Sequence, residues 1–330
     1  MRAETLKRLM PAWEWRWTDT DAPMLASHRL WQSAAYRLNS GPAVDAINRL
    51  VAESISGGNI DLAWVDKAVF LYPETVQRIR DSARRTVHFT PDTAFHANRS
   101  RHFEKTIGMF DMLVTTKSFE VEEYRRRVPA DRLHLTTQGF DPALHFPRRT
   151  PRQRSRSVTF VGLAEPDRER CIVSLLEHDI RVRLGGRGWK GFLTRWGRHP
   201  KLDFIGANVV GSQYAEALSS SWVGLGFLSK RFPELHTTRT FEIPACGAVL
   251  ATEATPETRS YFTESEAVFF DDCADLAGTI DRLFAEASDD GLIAIASGGT
   301  RRVKSDGRDY PSILRNILGR LHIERFQLAL

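Results

Sequence analysis

The sequence predicts an α/β protein built from two Rossmann-like domains in tandem. It has 330 residues with 42% hydrophobic content, which is too long for one ordinary α/β core and enough for two. Short apolar runs alternate with longer amphipathic stretches, the pattern of a parallel sheet covered by helices. The pattern restarts after a basic stretch at residues 148–157, so we place the domain boundary between residues 150 and 151.

The first half contains apolar runs of strand length separated by helical patterns. An amphipathic helix is expected at residues 117–128, between the last two runs. The predicted strands are Leu62–Val65, Ala68–Tyr72, Thr86–Thr90, Met112–Thr116 and Leu133–Thr137.

The second half repeats this organisation. A helix is predicted at residues 168–179 and a final helix at residues 311–326, which could cap the second domain or pack back on the first. The predicted strands are Ser157–Gly162, Ile180–Gly186, Leu202–Gly206, Trp222–Leu228, Ala248–Glu253 and Ala267–Asp272.

Composition excludes several classes of protein. No apolar run approaches the roughly 20 residues of a membrane helix, and no signal-peptide core follows Met1, so we expect a cytoplasmic protein without an integral membrane segment. The net charge is +5, but the basic residues are spread out. The basic stretch at 148–157 is better explained as a solvated connector than as a nucleic-acid contact. We therefore expect no nucleic-acid partner.

The cysteines give no sign of a disulfide framework or a zinc site. Cys171, Cys246 and Cys273 lie far apart and show no CxxC or Cys/His spacing. We expect three small buried apolar side chains.

Two glycine-containing strand ends could approach a ligand. Gly162 ends a strand before a helix that carries Arg168 and Arg170, which could pair with a diphosphate, although a tight turn explains this glycine equally well. Ligands of open parallel sheets bind beyond the carboxyl ends of the strands.

The second glycine-containing strand end is IRVRLGGRGW, with Gly185 and Gly186 followed by Trp189. A nucleobase or phosphate would fit there, and Trp189 is either a stacking surface or packed core. The segment lacks the GxGxxG fingerprint, which disfavours a nicotinamide dehydrogenase.

The most informative segment runs from residue 233 to residue 262. Glu234 and Glu242 are separated by seven residues and flank Arg239, and the predicted helix ends at Gly247. The two carboxylates could accept hydrogen bonds from sugar or ribose hydroxyls, while Arg239 and the helix end neutralise a diphosphate. An ordinary capped helix followed by a strand would show the same residues.

This segment resembles a known signature. RTFEIPACG at residues 239–247 is similar to the signature of the GT-B glycosyltransferases, and especially of the CgeB-like group. In the second half, the similarity continues in SVTFVG (157–162), VRLGGRGW (182–189), the segment around Tyr214 and EAVFFDDCADLAGTIDRLFAE (266–286). In the first half, it is carried by TPDTAF (90–95), FDMLVTT (110–116) and TQGFDPALHFP (137–147). The similarity covers residues 86–320 in all.

The resemblance implies a GT-B fold, with two Rossmann-like domains facing across a cleft. The acceptor would bind chiefly to the N-terminal domain (1–150) and the nucleotide-sugar donor to the C-terminal domain (151–330). The residue matching Glu242 would bind the donor ribose, Glu234 would lie near the transferred sugar, and Arg239 would contact the diphosphate. Further candidate donor-binding residues are Gly162, Gly185, Gly186, Trp189, Tyr214, Lys230, Thr238 and Gly247, with Arg231 as an alternative to Lys230.

The sequence departs from the family pattern in three places. CgeB-like sequences often lack an acid at the position of Glu234. MRAETLKRL resembles the segment that normally follows the first strand, so we expect either a start upstream or a reduced first sheet. The acceptor-side base is not evident: Asp92 and His96 are candidates, and Asp92 fits a turn after Pro91 equally well.

The expected activity is that of a hexosyltransferase-type glycosyltransferase. We expect no metal and no cofactor, because Asp271 and Asp272 do not form a convincing DxD site, and we expect retention if Glu234 and Glu242 form a genuine pair. Arg239, Glu234 and Asp92 are the candidate catalytic residues. The acceptor could be a glycan, a protein or a small molecule.

Three alternatives remain open at this point. One is another nucleotide-sugar enzyme on the same fold, such as an epimerase or phosphorylase. The second is a non-catalytic module that binds nucleotide sugars. The third, a nucleic-acid-binding protein, rests only on the basic charge balance.

Overall fold

The computed structural model describes residues 2–321, which divide into two compact units. The N-terminal unit comprises residues 2–137 together with the chain from Leu314 onward, and the C-terminal unit comprises Gln138–Ile313. The boundary expected at 150/151 thus differs from the observed division, which assigns residues 138–150 to the C-terminal unit.

The N-terminal unit is built on a four-stranded parallel sheet of order β1-β2-β3-β4. Its strands are β1 (Ile60–Asp66), β2 (Ala83–Thr90), β3 (Met112–Thr115) and β4 (Leu133–Leu135). Its helices are α1 (Arg2–Leu9), α2 (Asp21–Ala26), α3 (Arg29–Leu38), α4 (Pro42–Ser54), α5 (Pro73–Ser82), α6 (Arg101–Thr106) and α7 (Val121–Arg125).

Four of the five strands predicted in this half are confirmed, and the strand at Ala68–Tyr72 is wrong. Lys67 and Ala68 have φ values of 69° and 51°, so the backbone enters the left-handed region directly after β1. The chain therefore turns away from the sheet where an apolar run suggested a further strand.

The C-terminal unit is a doubly wound Rossmann-like domain with a six-stranded parallel sheet of order β10-β9-β8-β5-β6-β7. Its strands are β5 (Ser155–Val161), β6 (Val182–Gly185), β7 (Leu202–Gly206), β8 (Ser221–Gly226), β9 (Val249–Glu253) and β10 (Ala267–Phe270). Its helices are α8 (Pro166–Glu177), α9 (Lys190–Trp196), α10 (Gly211–Ser219), α11 (Arg239–Ala245), α12 (Pro256–Tyr261), α13 (Cys273–Glu286) and α14 (Asp289–Ser305). All six strands predicted in this half are confirmed.

The order of the strands creates a switch point in the middle of this sheet. The chain begins in the centre with β5, builds outward through β6 and β7, and returns to the other side of β5 with β8. Because the connections leave β5 and β8 in opposite directions, their carboxyl ends open a crevice. All six residues of β8 are buried, as expected for a central parallel strand.

The last helix, α15 (Tyr310–Arg320), crosses from one unit to the other at residue 313/314. Its predicted extent was 311–326, and residues 322–326 of that prediction lie outside the described residues. Among the residues that are described, no helix is long and apolar enough to cross a membrane.

The expectation of three unpaired cysteines is wrong for two of them. Cys171 on α8 and Cys273 at the start of α13 are disulfide-bonded, and Cys246 is a buried free thiol. The two bonded residues are 102 positions apart in sequence, and they meet because α8 and α13 pack on the same face of the sheet. Sequence spacing carries no signal for such a pairing.

The basic stretch at 148–157 is anchored on the C-terminal unit rather than being a free connector. The Arg154 guanidinium donates to the carbonyl of Gly247 and lies over the ring of Trp222. Arg156 donates to the carbonyl of Ala287 and pairs with Asp289 at 3.0 Å. These arginines fix the chain at the entry to β5.

His88 makes the stability of the N-terminal unit depend on pH. The ring is fully buried on β2 between Phe103 and Phe110, with ring centroids 4.4 and 5.2 Å away. Burial lowers the pKa of His88 to about 4, and burial likewise lowers the pKa of His134 to about 4. Their folded pKa values lie below those of the unfolded chain, so stability is present at neutral pH and declines as pH falls.

Replacing His88 should therefore flatten the pH profile of unfolding. We expect wild type to lose about 2 kcal/mol through His88 between about pH 7 and pH 5, and His88→Phe to lack that portion. Urea unfolding across this range measures it, with the exposed His96→Gln as the matched control. Equal pH dependence in His88→Phe and wild type would contradict the assignment.

Candidate active site

The candidate site lies in the C-terminal unit, at the crevice between the carboxyl ends of β5 and β8. The loop after β5 carries Gly162 and Glu165 into α8, and the loop after β8, residues 227–238, leads into α11. Two connections that diverge from neighbouring strands thus bring their polar residues to one edge of the sheet. The predicted residues Arg239 and Glu242 lie on α11.

The predicted glycines bring two loops into direct contact. Gly186 has a φ of 116°, and a Cβ there would lie only 2.0 Å from the carbonyl oxygen of Gly162. The N–H of Gly162 donates to the carbonyl of Gly185 at 3.0 Å. Glycine is required here because two backbones approach each other, and the same turn exposes backbone at the strand ends.

Trp189 is core rather than a stacking surface. It is 1% exposed, and its indole N–H donates to the carbonyl of Gly162 at 2.9 Å. Its contribution is to hold the loop after β5, so we do not propose it as a contact of the nucleobase.

Two arginines share the ring of Phe160 at the centre of the crevice. The guanidinium carbons of Arg168 and Arg239 each lie 5.6 Å from the ring centroid. Arg168 is 6% exposed and donates to the carbonyl of Leu163 at 3.0 Å, while Arg239 donates to the carbonyl of Phe227 at 3.3 Å.

These two side chains leave donors unused. The Nε atoms of Arg168 and Arg239 are buried and have no hydrogen-bond partner within residues 2–321. Burial lowers the pKa of Arg168, and the neighbouring charge of Arg239 lowers it further. Buried N–H donors on positively charged side chains are costly when they are unused, unless an anion accepts from them. The arginine pair therefore has the chemistry of an anion site.

Carboxylates lie near the two arginines, so the crevice contains both positive and negative charges. Glu165 pairs with Arg168 at 3.1 Å, and the charges of Glu234 and Glu253 also act on Arg168. The half-buried Glu234 therefore lies close enough to Arg168 for their charges to interact, and its predicted place near the transferred sugar stays a prediction. These carboxylates hold Arg168 in position but do not use its Nε.

Lys230 and Arg170 are less well placed than Arg168 and Arg239 to bind an anion in the crevice. The Lys230 ammonium is exposed and pairs with Glu253, whose other oxygen accepts the N–H of Leu228 at 3.0 Å. Arg170 is exposed and pairs with Asp167 on its own helix. Sequence position alone could not separate them from Arg168, the residue that the fold buries.

Glu242 accepts one side-chain hydrogen bond and has one histidine nearby, both from other parts of the unit. It is 7% exposed, and the hydroxyl of Tyr214 on α10 donates to its Oε2 at 2.9 Å. Nε2 of His145 lies 3.8 Å from its Oε1. Nδ1 of His145 accepts the N–H of Asp141 at 3.0 Å, which leaves the neutral ring's proton on Nε2, facing Glu242.

His145 was missed by sequence reasoning, and its ionisation depends on its surroundings. The ring is 3% exposed, and burial lowers the pKa of His145 while the charge of Glu242 opposes that shift. Burial and the same carboxylate raise the pKa of Tyr214 well above its usual value. Tyr214 therefore stays protonated and donates to Glu242.

The loop before α11 is fixed by a second histidine that the sequence analysis did not single out. His236 is buried, its Nδ1 lies 2.6 Å from Oε2 of Glu257, and its Nε2 accepts the N–H of Gln138 at 3.1 Å. The next residue, Thr237, has a buried hydroxyl without a hydrogen-bond partner in the described part of the chain. The half-buried Thr238 is the N-cap residue of α11 and directly precedes Arg239.

Gly247 lies at the far end of α11 from Arg239. It has a φ of 78°, and a Cβ would meet the Arg154 guanidinium at 2.6 Å and Pro147 at 3.0 Å. Gly247 ends the helix in the left-handed conformation and admits these neighbours, which gives it a conformational role. Its part in binding the donor stays a prediction.

The candidate acceptor-side residues lie in the N-terminal unit. Asp92 follows β2, and its carboxylate lies 2.5 Å from the Lys67 ammonium after β1. The buried Glu120 accepts the N–H groups of Ala94 and Phe95, both at 2.9 Å, and thereby holds the loop that carries Asp92. Burial raises the pKa of Glu120 despite these bonds. The exposed His96 contacts the ring of Phe119.

Comparison with known proteins agrees with this geometry. Residues 168–319 match the family described as glycosyl transferase-like. The matched segment contains Arg168, Tyr214, Glu234, Arg239 and Glu242. No curated protein matches the sequence.

Solved structures with a similar fold cover most of the chain. HepE from Anabaena, in complex with UDP and glucose, is 14% identical with a TM-score of 0.62, over 83% of this chain and 81% of that one. Sucrose-phosphate synthase from Thermosynechococcus elongatus is 13% identical with a TM-score of 0.63, over 88% and 79%. α,α-Trehalose 6-phosphate synthase from Burkholderia multivorans is 12% identical with a TM-score of 0.61, over 97% and 83%.

These matches confirm the predicted fold: the chain has the GT-B fold with two Rossmann-like domains. The family match over residues 168–319 agrees with the predicted class of enzyme. The CgeB-like subtype stays a prediction.

Removing the Tyr214 hydroxyl should destabilise the C-terminal unit. Tyr214→Phe leaves a buried carboxylate oxygen of Glu242 without its donor, so we expect a loss of about 1–2 kcal/mol in the free energy of unfolding at neutral pH. Urea unfolding measures it, and Tyr36→Phe, which removes a hydroxyl from a 68% exposed ring, is the control. An unchanged stability of Tyr214→Phe would show that the bond to Glu242 contributes nothing.

Proposed function

We propose that this protein transfers a sugar from a UDP-sugar to an acceptor hydroxyl, without a metal ion or other cofactor and with retention of the anomeric configuration. The observation that carries the proposal is the pair formed by the buried Arg168 and the half-buried Arg239, whose buried Nε donors are unused at the switch point of the C-terminal sheet. A nucleoside diphosphate is an anion with the oxygens that such donors need.

The residues around the pair fit the parts of a nucleotide sugar. Arg168 and Arg239 would receive the diphosphate, and Glu242, held by Tyr214 and His145, would accept the ribose hydroxyls. Glu234 would face the transferred sugar. The glycine turn at Gly186, beyond β6, would receive the base beside the backbone of the loops.

The choice of uracil rests on the similar structures. HepE from Anabaena is described in complex with UDP and glucose, and also with UDP-glucose. A trehalose-6-phosphate protein from E. coli is described bound with UDP-2-fluoro glucose. A chain with the same fold and a compatible site is best tested with UDP-sugars first.

The arginine pair would also supply the chemistry. When the bond between the anomeric carbon and the diphosphate oxygen breaks, negative charge develops on the leaving phosphate, and two fixed guanidinium groups stabilise it. Arginine side chains can thus take the part that a divalent ion takes in other transferases, which is the basis for proposing metal independence. For retention, the acceptor oxygen attacks from the face that the diphosphate leaves, and the departing phosphate oxygen takes its proton.

Asp92 is our candidate for placing the acceptor hydroxyl. Its carboxylate is already paired with Lys67, so it would act as a hydrogen-bond acceptor rather than as a free base. We also propose the CgeB-like subtype, on the strength of residues 239–247, and a cytoplasmic location.

Donor binding and turnover test the proposal together. We expect purified protein in excess EDTA to bind UDP-sugars by calorimetry in preference to GDP-, ADP- and dTDP-sugars, and to release UDP by hydrolysis or by transfer to added acceptors. Arg239→Ala should slow UDP release by about a hundredfold or more. Arg195→Ala, which removes an exposed arginine paired with Glu169, should leave it unchanged.

Other outcomes would replace the proposal. Saturable binding without release of UDP under any acceptor would favour a non-catalytic module. Turnover that EDTA abolishes would contradict metal independence. Folded protein that binds none of the four donors would contradict the glycosyltransferase activity itself.

A further inference from the structure

The disulfide of the C-terminal unit lies one helical turn from an arginine of the candidate site. Cys171 follows Arg168 by three residues on α8, so the two side chains are neighbours on the helix surface. The sulfur of Cys273, at the start of α13, lies 3.7 Å from the carbonyl oxygen of Asp167, the residue directly before Arg168. The two bonded sulfurs therefore contact the turn of α8 that carries Arg168.

The other contacts of this turn are weaker than the disulfide. Among residues 166–170, Arg168 is the buried one, and the first buried apolar side chain of α8 is that of Cys171 itself. Arg170 and Arg195, which form ion pairs with carboxylates of this turn, are both exposed. Exposed ion pairs contribute little to holding a segment in place. The covalent bond to α13 is thus a major constraint on the position of Arg168.

A reductant can reach this bond from one side. Cys273 is half-buried, whereas Cys171 is 6% exposed. The third cysteine, Cys246, is fully buried, and burial raises the pKa of its thiol, so it stays protonated and does not exchange with the bond. Reduction therefore requires a thiol from outside the chain, and it takes place at the sulfur of Cys273.

We propose that this disulfide is a redox switch for the donor site, with tight binding of the diphosphate in the oxidised chain and weaker binding in the reduced one. The inference rests on the proposed function of Arg168 in binding the diphosphate. In the cytoplasmic location proposed above, a disulfide fits such a switch, because disulfides of cytosolic proteins are rare and are usually redox-sensing or catalytic when they occur.

A dithiol reduces the bond in two steps. Its thiolate attacks the sulfur of Cys273, and the bonding electron pair leaves with the sulfur of Cys171, which takes up a proton. The second thiolate of the reductant then attacks the mixed disulfide and releases Cys273, which also takes up a proton. The chain gains two electrons and two protons, and the dithiol becomes a disulfide.

Reduction changes the position of Arg168 because two thiols need more room than a disulfide. Non-bonded sulfur atoms cannot approach as closely as bonded ones, so the starts of α8 and α13 must move apart. The two helices pack against each other, and apolar residues of both, such as Leu175 and Ile280, belong to one core cluster. The displacement is therefore confined to the first turns, where Arg168 lies.

Calorimetry with UDP in both redox states tests the switch. We expect oxidised wild type to bind UDP about tenfold more tightly than protein reduced with dithiothreitol, as for the loss of one charge-assisted hydrogen bond, and reoxidation to restore the affinity. The affinity for uridine should be the same in both states. Cys171→Ser/Cys273→Ser should bind UDP like reduced wild type and ignore dithiothreitol, and Cys246→Ala should respond like wild type.

Contrary results separate the switch from the proposed function. Equal affinity for UDP in the oxidised and reduced states would refute the switch while the donor site stands. Reduced protein that unfolds at a lower temperature but binds UDP like the oxidised form would assign the bond a structural role only. Three free thiols in oxidised wild type, counted by alkylation and mass spectrometry, would also refute it. Folded, oxidised wild type that does not bind UDP would contradict the proposed function itself.

Discussion

The account of this protein depends on two positive charges that share one buried aromatic ring. Arg168 and Arg239 approach Phe160 from two different connections of the C-terminal unit, and both keep a buried Nε without a partner among the described residues. Like charges repel, and buried donors without acceptors are costly, so the arrangement is unfavourable without a compensating anion. The surrounding carboxylates reduce this cost but leave the Nε donors unused. An anion that accepts from both arginines would complete the site.

The topology of the sheet is what brings these groups together. Arg168 follows β5 and Arg239 follows β8, two strands that are neighbours in space but are separated in sequence by β6 and β7. Gly162 and Gly186 allow the loops after β5 and β6 to come into contact, which leaves backbone groups accessible beside them. His236 holds the loop that enters α11. Tyr214 hydrogen-bonds Glu242, which lies on the same helix as Arg239, and His145 lies beside that carboxylate. Each part of the proposed donor site is thus held by a contact that does not involve the ligand.

Local sequence pattern predicted most of the strands and the helix that carries the candidate site. Apolar runs bounded by helical stretches placed all six strands of the C-terminal sheet, and the RTFEIPACG segment located α11 and its two polar residues. The run at Ala68–Tyr72 failed because nothing in its apolar pattern shows that Lys67 and Ala68 adopt left-handed backbone. Local pattern therefore predicts the elements well and their turns less well.

The sequence could not show which residues that are far apart along the chain lie close together in space. Arg168 and Arg170 look alike in sequence, and only the packing of α8 shows that Arg168 is buried beside Arg239 while Arg170 is exposed. His145 precedes the donor-domain sheet by ten residues and gives no sign of reaching Glu242. The bond between Cys171 and Cys273 likewise follows from the packing of two helices. Trp189 was a candidate because it follows the glycine-containing strand end, and Gly247 because of the family resemblance. Burial gives Trp189 a structural role, and its left-handed backbone gives Gly247 one.

The central claim is that the arginine pair recognises the diphosphate of the donor. Calorimetry of Arg239→Gln and wild type with UDP and with uridine separates this contact from all others in the site. The account predicts that the variant binds UDP at least about tenfold more weakly, as expected for loss of a charge-assisted hydrogen bond, while its affinity for uridine is unchanged. Equal losses for both ligands, or no loss for UDP, would contradict it.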